Sequence, residues 1–293
     1  MRETGASTNR PETLLTTLSS QAELKTSFSS VEAEAQSCEA LTKRFDVLGV
    51  RVNSISFKVA IECIQSWIEG RTGTRIVTFT NVHAVMEARR DETFCQVLNQ
   101  ADMVCPDGMP LVWLDHLGGG STERLCGPDF MAEFFRQTEG NGYRHFFYGG
   151  APAVVERLAV TMQSRFTGVR IAGFYSPPYR TLTAEEDKAV VQMINSATPD
   201  LLWVGLGCPK QERWMSAHRE AIHSVVMLGV GQAFDIHGNA LAQAPRWMRD
   251  HGLEWIFRVC SEPRRLWKRY LVTNTGFVLT LVPRLFSRII RRR

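Results

Sequence analysis

No run in this 293-residue chain is apolar for the roughly 20 residues that a membrane-crossing helix needs. Beyond Arg269 the longest uncharged stretch, Tyr270–Pro283, has 14 residues. No Cys-x-x-Cys pair occurs among Cys38, Cys63, Cys95, Cys105, Cys126, Cys208 and Cys260, and seven is an odd number. Disulfides and structural zinc are therefore not expected, and the cysteines fit a reducing, cytoplasmic setting. The histidines show no metal-ligand spacing. The opening Met-Arg-Glu-Thr-Gly lacks an apolar core and does not read as a signal peptide.

Three nucleotide motifs are also missing. There is no Walker A pattern. Gly229-Val230-Gly231-Gln232-Ala233-Phe234 begins like a dinucleotide fingerprint, but Phe stands at the third glycine position and the acidic partner strand is absent. That argues against an NAD-dependent sugar oxidoreductase. No Asp-x-Asp occurs, the pair that often holds a sugar-nucleotide diphosphate through Mg²⁺. Arg, Lys and helix N-termini would neutralise such a group instead, and no metal or other cofactor is expected.

What is present fits a soluble domain of roughly 200–250 residues with extensions: 44% of residues are hydrophobic and 22% charged. The net charge of +4 is unevenly spread. Arg258–Arg293 holds ten Lys/Arg and one acid, so the preceding chain is net acidic. A basic tail on an acidic body points to an anionic surface as partner.

Residues 1–42 are rich in Ser, Thr and Glu and read as a disordered leader, with a possible short helix at Leu14–Leu24. The body begins near Phe45. Strand candidates are Val47–Val50, Arg75–Thr80, Met103–Cys105, His145–Tyr148, Arg170–Phe174, Leu201–Gly205 and Val225–Leu228. Helical patterns lie between them at Phe57–Glu69, Met109–Leu117, Pro152–Phe166 and Ala184–Ser196. This alternation predicts an α/β fold, a mainly parallel Rossmann-like sheet with helices on both faces. Arg258–Tyr270 reads as a basic amphipathic helix, interfacial on a membrane or packed on its own domain. The expected division is 1–42 leader, 43–257 α/β domain and 258–293 basic helical appendage.

Polar residues collect just after strands, where open α/β sheets bind ligands. Gly205–Trp214 follows an apolar strand and opens a helix. Its glycines would let a ligand approach, its N–H groups suit an anion, and Gln211 and Arg213 add donors. Thr80-Asn81 and Pro106-Asp107-Gly108 close two other strands, and Arg124–Asp129 opens a further helix. Asp107 reads equally as a general base or as the N-cap of Met109–Leu117. Asp129 reads rather as a cap, given Pro128. Asp235 reads as a ligand contact or a loop tie. Cys208, at a helix N-terminus, has no His or Asn arrangement to support nucleophilic catalysis.

In this order the motifs resemble the WecG/TagA/CpsF family of bacterial glycosyltransferases. The resemblance covers about Phe45 to Tyr270. It rests on Thr80-Asn81-Val82, Pro106-Asp107-Gly108, Arg124 with Gly127-Pro128-Asp129, Phe147-Tyr148-Gly149-Gly150, Gly205–Trp214, Gly229–Asp235, Ala244-Pro245-Arg246-Trp247 and Glu254-Trp255-Ile256-Phe257-Arg258, followed by Glu262-Pro263 and Lys268-Arg269-Tyr270. It implies an inverting transferase that moves a sugar from a UDP-sugar to a polyprenyl-diphosphate-linked sugar, peripherally at the inner face of the plasma membrane, in exopolysaccharide, capsule or other surface-polysaccharide synthesis. No nucleic acid partner is implied. By the resemblance Asp107 is the base, Thr80 and Asn81 are strand-end contacts, and Arg124, Gln211 and Asp235 touch substrate. Arg258, Arg265 and Lys268 match a basic appendage closing over the diphosphate. One departure is Phe79, where the family often carries Thr. A non-catalytic nucleotide-sugar-binding or scaffold subunit is the alternative, and it has no need of a base at Asp107.

Overall fold

The computed structural model describes residues 41, 43–71, 73–223 and 225–291. Apart from Leu41, the leader expected over 1–42 lies outside the described residues, as does the helix expected at Leu14–Leu24. The chain opens with a hairpin of β1 (Arg44–Val47) and β2 (Val50–Asn53). The single strand expected at Val47–Val50 is thus its turn. Leu48 and Gly49 both take positive φ (55° and 102°), the combination a two-residue hairpin turn requires, and Asp46 accepts the Gly49 N–H at 3.1 Å.

Alternating elements follow: α1 (Phe57–Gly70), β3 (Arg75–Thr80), α2 (Val82–Arg90), α3 (Glu92–Gln100), β4 (Met103–Pro106), α4 (Met109–Leu117), α5 (Gly127–Gln137), β5 (Arg144–Gly149), α6 (Pro152–Arg165), β6 (Arg170–Tyr175), α7 (Ala184–Ala197), β7 (Leu201–Gly205), α8 (Lys210–Ala217), β8 (Val226–Gly229) and α9 (Ala233–His237). Local chemistry sets many of the starts. Ser56, Asn81 and Asp91 cap α1, α2 and α3 with side-chain oxygens, and Thr183 forms a capping box with Glu186 at α7.

The larger sheet is six-stranded and parallel, ordered β4-β3-β8-β7-β5-β6. Strand alternation sends Phe79, Phe147, Trp203 and Leu228 to one face, against Ile61, Phe130, Phe134 and Leu158. Ile76, Phe146, Val204 and Met227 face the other side, against Val85, Phe94, Leu98, Ile194 and Met215. Both faces are covered, as the strand–helix alternation requires. After β4 the chain crosses the sheet to β5 and later returns to insert β7 and β8. The direction of winding therefore changes beside β3, the kind of switch point where such sheets bind ligands.

Beyond α9 come α10 (Arg246–Asp250), α11 (Glu254–Ser261) and α12 (Pro263–Arg291). The helix expected over Arg258–Tyr270 is instead divided at Glu262. Pro263 supplies no N–H to continue α11 but suits the first position of α12. Leu266, Thr273 and Phe277 are buried on the inner side of α12. The helix lies along α2, where the Arg89 guanidinium donates to the Thr280 hydroxyl. A Cβ on Gly276 would sit 3.2 Å from the Met86 methyl. Leu271, Val272, Val278 and Leu279 are more than half exposed. Among the described residues no helix is long and apolar enough to cross a membrane.

Candidate active site

Parallel register builds the floor of the site. Thr80 lies opposite Pro106 across β3 and β4, so Asn81 and Asp107 leave the sheet side by side. The Asp107 N–H donates to the Thr80 carbonyl at 2.8 Å. Asn81 caps α2 through Oδ1 (Ala84 N–H, 3.2 Å), a contact that does not use its amide donors. The N-cap of α4 is Gly108, at φ 123° and ψ 142°, a conformation left to glycine. Asp107 is therefore not the cap. Its carboxylate makes no hydrogen bond among the described residues.

The Leu125 N–H donates to the Pro106 carbonyl at 2.9 Å, which fixes Arg124 next to the end of β4. Arg124 Nη2 reaches Asp129 Oδ2 at 2.8 Å and Nη1 reaches Glu254 Oε2 at 3.3 Å. Glu254 Oε1 accepts from Arg258 Nη2 at 2.6 Å. Asp129 also pairs with Arg249 and accepts from Gln243 (2.8 Å) and the Cys126 thiol (2.9 Å). The cap expected of Asp129 is absent. The N-cap of α5 is Cys126, and Asp129 lies in the first turn with its carboxylate turned to these partners. Three carboxylates thus face three guanidiniums within one cluster.

That cluster lines one side of a cavity of about 560 Å³. Asn81, His83, Asp107, Arg124, Arg249, Glu254 and Arg258 supply its polar side. Met109, Trp113, Leu114 and Leu117 of α4, with Trp255, Phe277, Val278 and Leu281 of α11 and α12, supply an apolar one. Charged and apolar side chains lining one cavity suit an amphiphilic ligand.

The electrostatics differ within the cluster. Desolvation pushes Asp107 up to about 7, and the neighbouring Glu254 carboxylate adds to the rise while Arg124 and Arg258 oppose it. The Arg124 guanidinium is penalised by burial, yet the Cys126, Asp107, Asp129 and Glu254 acids around it outweigh that and strengthen its hold on the proton. Burial also works against the Asp129 anion, but the Cys126 thiol, Arg249, Arg124 and Gln243 together hold it below the usual carboxylate range. The result is one carboxyl able to exchange a proton near neutrality beside fixed ions, the division of labour acid–base chemistry uses.

The other expected site residues lie apart. Thr80 is buried, with its hydroxyl 3.4 Å from that of Thr78, and does not line the cavity. Gln211 is buried and forms a clamp between two strand ends: Oε1 accepts from Gly207 N–H (3.1 Å) and Nε2 donates to Gly229 O (2.8 Å) and Glu212 Oε1 (2.9 Å). Asp235, in α9 after β8, ties its loop by accepting Ala240 and Leu241 N–H groups on its carbonyl (2.8 and 3.0 Å). Lys268 is exposed in α12, 5.7 Å from the ring centre of Trp267. Arg265 lies in the first turns of α12, and its side chain is outside the described residues. The glycine expected to admit a ligand at β7, Gly205, is already occupied: a Cβ there would meet the Phe234 ring at 2.6 Å. Gly207, by contrast, has open space around it.

Phe79 packs its ring 5.1 Å from that of Phe130 and belongs to the core. Two cavity ions, Glu254 and Arg249, had no assigned role in the sequence reading. Glu254 has an i,i+4 partner in Arg258, but its other partner, Arg124, and the partner of Arg249, Asp129, lie more than a hundred residues away, beyond any spacing signal.

The family model for the glycosyl transferase WecG/TagA/CpsF family matches residues 45–291. The chain belongs to that family. A Staphylococcus aureus (strain MW2) protein described as N-acetylglucosaminyldiphosphoundecaprenol N-acetyl-beta-D-mannosaminyltransferase is 29% identical over 230 residues, covering 78% of this chain and 87% of that protein. A Bacillus spizizenii protein of the same description is 30% identical over 207 residues, covering 70% and 78%.

Proposed function

We propose that this WecG/TagA/CpsF family member transfers a hexose from a UDP-sugar to a polyprenyl-diphosphate-linked sugar, with inversion, in synthesis of an exopolysaccharide, capsule or other surface polysaccharide. One observation carries the reading: a carboxyl with no hydrogen bond among the described residues, poised near neutrality, beside two guanidiniums in a cavity that apolar side chains also line. The names of the relatives describe N-acetylmannosamine transfer to an undecaprenyl-diphosphate-linked N-acetylglucosamine, which makes those sugars the first to try here.

In this mechanism the acceptor hydroxyl oxygen attacks the anomeric carbon and gives its proton to the Asp107 carboxylate. The bond from that carbon to the β-phosphate oxygen breaks, and its electron pair leaves with UDP. Arg124 and Arg258 offset the growing charge on the diphosphate. Arg265 and Lys268, early in the sequence of α12, would add basic charge when the diphosphate is bound. Asn81 contacts substrate at the floor, while Thr80, Gln211 and Asp235 act at one remove by fixing strand ends and loops. The apolar side takes the first isoprene units of the acceptor.

The test is a panel of UDP-sugars, UDP-N-acetylmannosamine among them, against polyprenyl-diphosphate sugars, with released UDP as readout. UDP release that depends on acceptor supports the reading. Donor binding without turnover on every acceptor would favour the non-catalytic binding subunit. The exposed apolar residues of α12 and its basic ends support attachment to an anionic bilayer, at about 1 kcal/mol per basic residue. Binding to anionic but not neutral liposomes, weakened by salt and lost on truncation after Val259, is the expected outcome in a flotation assay.

A further inference from the structure

Among the described residues, Glu254 is the one carboxylate that joins Arg124 in the body of the site to α11. Its two oxygens are divided between two guanidiniums from different parts of the chain, Arg124 at 3.3 Å and Arg258 at 2.6 Å. Asp129 is the contrasting acid. It is held by Arg124, Arg249, Gln243 and Cys126 at once and does not line the cavity. Glu254 has only the two cations as side-chain partners among the described residues and lines the cavity. An anion with two oxygens across two guanidiniums has the charge pattern of a diphosphate.

We propose that Glu254 is a built-in competitor, a carboxylate that occupies the Arg124–Arg258 clamp until a substrate diphosphate displaces it. The proposal rests on the diphosphate-transfer reading above and adds a regulatory part to the same site. A carboxylate and a diphosphate cannot share the clamp without like-charge repulsion. Displacement therefore opens the Arg124–Glu254 link and releases both guanidiniums from Glu254, while Arg124 stays paired with Asp129. The latch places one negative charge between the two cations, and it lowers apparent affinity by the fraction of molecules in which it is closed. Two diphosphates meet in the proposed reaction, that of the donor and that of the acceptor lipid, and the clamp chemistry is common to both.

The experiment is calorimetric titration of the full chain, Glu254→Gln and Glu254→Ala with UDP, with farnesyl diphosphate and with uridine. The Gln variant keeps the side-chain shape and removes the charge. The Ala variant removes the competitor altogether. Both variants are expected to bind at least one diphosphate about three- to tenfold more tightly, as for a latch closed some 70–90% of the time, with uridine affinity unchanged. Tightening for UDP alone assigns the clamp to the donor. Tightening for farnesyl diphosphate alone assigns it to the acceptor. Unchanged or weaker binding of both diphosphates overturns the proposal, since Glu254 would then be orienting the guanidiniums rather than competing for them. A parallel change in uridine affinity also overturns it, because that reports a general rearrangement. If wild type and variants all fail to bind either diphosphate, the diphosphate reading falls and takes the proposal with it.

Discussion

The ends of β3–β4 and of β7–β8 lie at the same edge of one parallel sheet, and each carries a carboxyl pushed up to about 7 by burial. Their surroundings differ. At β3–β4 Asp107 faces a cavity beside Arg124 and Arg258. At β7–β8 Glu212 is only 2% exposed, and Gln211, its own N–H and the Cys208 thiol only partly offset its burial. A raised carboxyl is therefore not by itself a sign of catalysis. Access, and cations placed to receive charge, separate the two.

The sharpest way to break this comparison is to neutralise the first carboxyl. Asp107→Asn is expected to lower turnover by about 10²–10⁴-fold, the usual contribution of a positioned base, with UDP binding retained. The same variant should be more stable than wild type above pH 7. Asp107 holds its proton in the fold to about 7 but loses it near 3.8 when unfolded. Stability therefore falls as pH rises between those values. The span of three pH units sets a ceiling of about 4 kcal/mol, lessened by the partial exposure of Asp107. Acceptor-dependent UDP release and thermal melts at pH 8 check both halves. Near-normal turnover would remove Asp107 from the mechanism.

The second test concerns what Gln211 does. Gln211→Ala leaves the Gly207 N–H and the Gly229 carbonyl without their side-chain partner. A destabilisation of about 1–3 kcal/mol is expected in chemical denaturation, and any loss of kcat/KM should follow from the displaced loop. A variant of unchanged stability with kcat/KM at least tenfold lower would instead make β7–β8 a substrate-binding edge and erase the difference between the two ends.

The strands at Arg75–Thr80 and Leu201–Gly205 are legible because short apolar runs stop at polar or glycine residues, and the bounds coincide with the structure. Asp107 and Arg124 are legible as polar residues following strands. Gln211 has the same signature, but its partner is the carbonyl of Gly229 on the neighbouring strand, which no local pattern reveals. Thr80 was read as a contact, although pleating alone puts it on the opposite face from Phe79. The helices Val82–Arg90 and Glu92–Gln100 escaped notice because their caps, Asn81 and Asp91, also read as loop residues. Glu254 stands within a recognised motif, yet its partner Arg124 lies 130 residues earlier.

The smallest expected effect on activity comes from neutralising the other carboxyl. Glu212 is sealed from the cavity, so Glu212→Gln should change kcat/KM by no more than a few-fold. Its effect belongs to stability. The carboxyl keeps its proton to about 7 in the fold and loses it near 4.5 when unfolded, so the native state binds more protons between those values. Wild-type stability then falls as pH rises through that window and levels off above it. The ceiling is about 3 kcal/mol for a span of some 2.5 pH units. Gln at 212 can still accept from Gln211 Nε2 and carries no charge. The variant should therefore match wild type near pH 4.5 and exceed it increasingly up to pH 7. Denaturation midpoints at pH 4.5, 6 and 8, measured beside kcat/KM at pH 8, make the test. A flat difference in stability, or a loss of activity as large as that of Asp107→Asn, would mean that Glu212 is reached by water or substrate, and the two ends of the sheet would no longer differ in kind.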